Sequence, residues 1–61
     1  MTEIGWQLYD VINRHRLTVR AAMNQLDEAG IISNNVIHLS DISDHDARQS
    51  IRYLNEHSSA Q

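Results

Sequence analysis

The chain has no cysteine, no proline and only two glycines in 61 residues. Without cysteine there is no disulfide to staple the fold and no thiolate cage for a metal, and nothing marks an oxidising compartment. The two glycines, Gly5 and Gly30, do not make a glycine-rich phosphate loop. Lysine is absent as well, so all five basic residues are arginines. No apolar run approaches the ~18 residues of a membrane span. The opening MTEIGWQLYD lacks a basic segment followed by an apolar stretch, so a cytoplasmic chain without membrane contact is expected.

What remains is aliphatic. Hydrophobic residues make up 41% of the sequence, yet a chain this short buries only about 60% of the surface its unfolded form exposes. A single small domain therefore has more apolar surface than three short elements hide easily, and a homodimer is expected. The net charge is −3, which argues mildly against a nucleic-acid partner, but the charges are unevenly spread. Arg14, Arg16 and Arg20 lie within seven residues, with His15 between them, while the acids sit elsewhere. An acidic chain thus carries one local basic patch.

Periodicity places three helices. Ile4, Leu8, Val11 and Ile12 recur at helical spacing over residues 3–13, with Trp6 and Tyr9 widening the stripe as core or interface anchors. Over 18–29, Val19, Ala22, Met23, Leu26 and Ala29 share a face. Gly30 follows where a left-handed residue is wanted, and Leu26 with Ile31 supplies the apolar contact of a Schellman stop. A third helix over 43–57 begins at Ser43, with Asp46 at the capping-box position and Ile42 set to pack on Ala47. Between the second and third helices, residues 31–39 read as a short β-hairpin turning at Asn34-Asn35, with Ile32 opposite Ile37 and Leu39 on the same face, or as an extended loop. The tail HSSAQ is expected to fray. The expected class is mainly α and helix-turn-helix-like, with Ile4, Leu8, Ile12, Val19, Met23, Leu26, Ile51 and Leu54 in one core.

The stretch LYDVINRHRLTVRAAMNQLDEAGII, Leu8 to Ile32, resembles the two-helix core of winged helix-turn-helix regulators of the GntR type. Its most specific part is TVRAAMNQLDEAGII, a Thr-Val-Arg, an Ala-hydrophobic pair, a Leu and a Gly followed by two aliphatics. The resemblance implies a DNA-binding transcriptional regulator whose second helix enters the major groove, where arginine grips guanine or phosphate bidentately. By position, Arg16 and Arg20 would face duplex DNA, Arg14 and His15 would lie near its backbone, and the hairpin would be a stunted wing. Asn13 takes the turn position that the family gives to glycine, and asparagine tolerates the left-handed conformation better than other non-glycine residues. The sequence also departs from the pattern. Tyr9 stands where a small residue is usual, Arg14 at a normally buried place, His15 at the serine cap and Leu17 at a polar position. Thr18 is the better N-cap, which makes Arg14 to Leu17 a longer connection than a true helix-turn-helix turn.

A second class competes, a dimeric helical protein-interaction module such as an inhibitor or adaptor that covers its apolar surface with a partner protein, Trp6 and Tyr9 at the interface. The size and composition suit a small phage or plasmid accessory protein. Other chemistries find little support. His15, His38, His45 and His57 lack metal-ligand spacing, and DISDHD lacks the glycine and terminal glutamate of a calcium loop, so no metal or other cofactor is expected. The serines have no base arranged near them in sequence, so the chain is not expected to be an enzyme.

Overall fold

A computed structural model describes residues 2–33 and 38–58. Over them the protein is three helices, α1 (Glu3–Arg14), α2 (Val19–Glu28) and α3 (Asp44–Ser58), with a 3-10 turn at Leu39–Asp41 before the last. The protein is mainly α, and each helix end falls within one residue of its expected position. No described residue is in a strand. The hairpin turn at Asn34-Asn35 and the pairing partner Ile37 lie outside the described residues, as does the tail beyond Ser58. Leu39 is buried, but as the first residue of the 3-10 turn, in which the Ile42 N–H donates to its carbonyl at 3.2 Å.

Each helix starts at a hydroxyl. Thr2, Thr18 and Ser43 accept from the backbone N–H of Gly5, Ala21 and Asp46 at 3.2, 3.1 and 3.2 Å. Such a cap is worth about 1 kcal/mol. Thr2 does a second job, since its hydroxyl donates to Asp44 Oδ1 at 3.0 Å and ties the start of α1 to the start of α3. Further along, His15 Nε2 lies 3.1 Å from Asn55 Oδ1. Start against start and end against end, α1 and α3 run parallel. Parallel neighbours place their positive N-termini side by side, and Glu3, Asp44 and Asp46 in the two first turns offset that, with Arg14 and His57 in the last turns.

The core is built from the stripes. Leu8, Val11 and Ile12 of α1, Ala22, Met23 and Leu26 of α2, and Ala47 and Leu54 of α3 are buried together with Ile32 and Leu39. Ile4, Val19 and Ile51, expected inside, are half-buried at its rim with Leu17, Ile31, Ile42 and Tyr53. Ser50 is the one buried polar side chain among the described residues, and its hydroxyl donates to the Asp46 carbonyl one turn back at 2.7 Å. Trp6 and Tyr9 are not core anchors: they are 58% and 39% exposed. They widen the α1 stripe beyond the arc that α2 and α3 cover.

Both of the first two helices end in a Schellman motif. After α2, the Gly30 N–H donates to the Asp27 carbonyl at 3.0 Å and the Ile31 N–H to the Leu26 carbonyl at 2.9 Å, with Gly30 at φ 78°. After α1, the Arg16 N–H donates to the Asn13 carbonyl at 3.0 Å and the Leu17 N–H to the Ile12 carbonyl at 3.1 Å, with Arg16 at φ 60°. The left-handed residue is therefore Arg16, whereas Asn13 stays helical. The apolar pairs fix this. A Schellman stop joins residues five apart, and Ile12 with Leu17 repeats the spacing of Leu26 with Ile31.

Candidate functional site

The turn His15 to Thr18 and the first turn of α2 collect the basic residues. Their surroundings differ. Arg14 ends α1 and donates from Nη2 to Asp10 Oδ2 at 2.7 Å, both side chains about two-thirds exposed at 66% and 67%. His15, the half-buried C-cap of α1, is held by Asn55 of α3. Arg16 and Arg20 are exposed, and among the described residues neither has a carboxylate within ion-pair range. Two of the four basic side chains are thus committed to the fold, and two are available to a ligand.

Helix α2 makes this region more positive than its arginine count implies. α1 and α3 have acids in their first turns and a basic residue in their last turns. α2 has no acid in its first turn and no basic residue in its last, where Asp27 and Glu28 stand instead. That order runs against the helix dipole and forgoes about 0.3–1 kcal/mol per charge at an exposed end. It leaves the N-terminal end of α2, between Arg16 and Arg20, without a neutralising acid. One turn beyond Arg20, on the same face, lies exposed Asn24. The i, i+4 spacing from Arg20 is the sequence signal that sets Asn24 on this face. An asparagine amide can hydrogen-bond an adenine edge bidentately.

The second feature is aromatic. Trp6 and Tyr9 meet edge to face, ring centroids 6.1 Å apart at 88°. Trp6 stands beside an open groove of about 500 Å³ between α1 and α3, floored by Val11 and Ile51. The arginine cluster and the aromatic pair are separate features, linked only by Arg14, which lines the end of this groove.

The histidines do not converge. His57 stacks on Tyr53 with centroids 4.1 Å apart, and His15 faces Asn55. Among the described residues no group of three His, Cys, Asp or Glu side chains is placed to hold a metal ion. Of the aspartates of DISDHD, Asp41 closes the 3-10 turn and Asp44 and Asp46 lie in the first turn of α3, where the Asp44 carboxylate accepts from Thr2 and the Asp46 N–H donates to Ser43. Among the described residues no helix is long and apolar enough to cross a membrane. Comparison with protein-family models, with curated proteins and with solved structures finds no match to this chain.

Proposed function

We propose that the protein is a small DNA-binding regulator that presents the start of α2 to the major groove of duplex DNA, with Arg16 and Arg20 as its principal contacts. The observation that carries this reading is Arg16. It holds a left-handed backbone that glycine adopts without penalty, at φ 60°, while its side chain is exposed. Backbone strain kept at one charged residue points to a use for that side chain. The positive end of α2, free of acids, supports the same reading, since helix N-termini bind phosphate. In this reading Asn24 reads a base edge, and Arg14 and His15 lie near the backbone.

Titrating the protein with random duplex DNA at several salt concentrations tests the proposal. Each phosphate neutralised adds about 0.9 to the negative slope of log K against log salt. Arg16→Gly and Arg20→Ala each flatten the slope by about that amount, whereas Arg48→Ala, near the start of α3, leaves it unchanged. Absence of salt-dependent binding at low ionic strength overturns the reading. The competing reading, a protein-interaction module, is favoured by one observation, the exposure of Trp6 and Tyr9.

A further inference from the structure

We infer that the exposed face of α2 selects the bases of its DNA site through three side chains one turn apart, Arg20 for guanine, Asn24 for adenine and Glu28 for cytosine. The inference rests on the DNA reading and deepens it. All three residues are exposed, while Ala22, Met23 and Leu26 of the same helix are buried. The i, i+4 spacing sets them in one row along the helix. Among the described residues none of the three side chains has a hydrogen bond or an ion pair, in contrast to Arg14 and His15. The outer two stand eight positions apart, about 12 Å along the axis, a span of about three to four base-pair steps.

The row is graded in hydrogen-bonding character. Arginine only donates, an asparagine amide both donates and accepts, and an ionised carboxylate only accepts. In the major groove guanine offers the acceptors N7 and O6, adenine an acceptor and the N6 donor, and cytosine the N4 donor. Glu28 carries the inference. It stands in the last turn of α2, where a negative charge opposes the helix dipole, on a helix with no acid in its first turn. Beside a duplex that charge also repels phosphates, so it lowers affinity for every sequence. Base discrimination is the return. The carboxylate is paired opposite cytosine N4 and left unpaired opposite guanine or thymine, whose groups there accept.

Selecting bound duplexes from a random pool, then titrating the selected site and random duplex side by side, tests the assignment. The wild type is expected to enrich sites that carry guanine, adenine and cytosine within about five base pairs. Asn24→Ala reduces the preference for adenine about tenfold and leaves the salt slope unchanged. Glu28→Ala moves two readouts in opposite directions: it binds random duplex more tightly, and its preference for the selected site over random duplex falls about tenfold. Its urea midpoint rises as the adverse end charge is removed, so a folding defect does not produce this split. If Glu28→Ala tightens both duplexes equally, the carboxylate only repels phosphates and the inference is overturned. A preference for adenine that survives Asn24→Ala overturns it as well. Salt-dependent binding that enriches no sequence overturns the inference and leaves the DNA reading standing. No binding at low ionic strength overturns both.

Discussion

The ends of α1 and α2 are one structure built twice from different residues. Each has a left-handed residue, at φ 60° and 78°, and each returns an apolar residue to the core five positions after a buried one, Ile12 with Leu17 and Leu26 with Ile31. At the end of α2 the left-handed residue is glycine, the flanking charges are Asp27 and Glu28, and no role beyond stopping the helix is implied for the glycine. At the end of α1 it is arginine, between Arg14 and Arg20. The same bonds form in both places, so the arginine is not needed to make the turn. The difference separates what the fold asks for from what the fold tolerates. The core asks for an apolar pair at spacing five, and it tolerates a strained cation where glycine would be easier.

The largest effect tests whether the two stops are equivalent in the core. Ile12 and Leu26 are both fully buried, and each carbonyl accepts the long bond of its own stop. Ile12→Ala and Leu26→Ala are each expected to lose about 2–5 kcal/mol, counting transfer and cavity terms together, with the spread set by how far the site collapses. Domains of this size hold little in reserve, so both variants are expected to be largely unfolded at about 25 °C by circular dichroism. A loss below about 1 kcal/mol at either position would show that its stop does not anchor the core.

Next in size is a pair of opposite signs. A Cβ added at Gly30 meets nothing within 4 Å, so Gly30→Ala suffers only the left-handed backbone penalty. It is expected to destabilise by about 1 kcal/mol. Arg16→Gly removes the same penalty of about 1–2 kcal/mol and loses about 0.5–1 kcal/mol to the more flexible unfolded chain. The net is a gain of about 0.5–1 kcal/mol. Urea unfolding measures both. A destabilised Arg16→Gly would mean that the arginine side chain supports the fold through contacts of its stem, and the case for its use by a ligand would weaken.

These two positions also mark how far the sequence could be read. Gly30 was legible because a glycine after an apolar stripe has few other reasons to be there. Arg16 was not, because no side chain announces a left-handed arginine, and the family pattern points to Asn13 instead. The better clue was the repeat of the apolar spacing, Ile12 to Leu17 as Leu26 to Ile31, which is independent of the turn residue. The hydroxyl caps were readable for the reason Gly30 was, a local bond with a local signature. For Trp6 and Tyr9 the sequence left core and interface both open, since periodicity tells that a residue joins a stripe but not how wide an arc the neighbours cover; their exposure removes the core. The sequence also grouped Arg14 with Arg16 and Arg20, while the structure divides them, because Asp10 one turn earlier reaches Arg14 and no acid reaches the others among the described residues.

That division supplies the smallest prediction. The Asp10–Arg14 pair is an exposed i, i+4 contact in the favourable order, acid before base, on a solvent-screened face. Such pairs are worth about 0.3–0.5 kcal/mol, and asparagine matches aspartate in helix propensity, so Asp10→Asn is expected to shift stability by no more than that. The effect on charge is larger than the effect on fold. Arg14 is released, and the end of α1 then has three uncommitted arginines nearby where the end of α2 carries two acids. In the DNA titration the negative slope steepens by up to about 0.9 if the freed guanidinium reaches a phosphate. An unchanged slope with unchanged stability would place Arg14 outside the contact and confine the interface to Arg16 and Arg20. A loss above about 1 kcal/mol would show that the pair contributes more than a screened surface contact can.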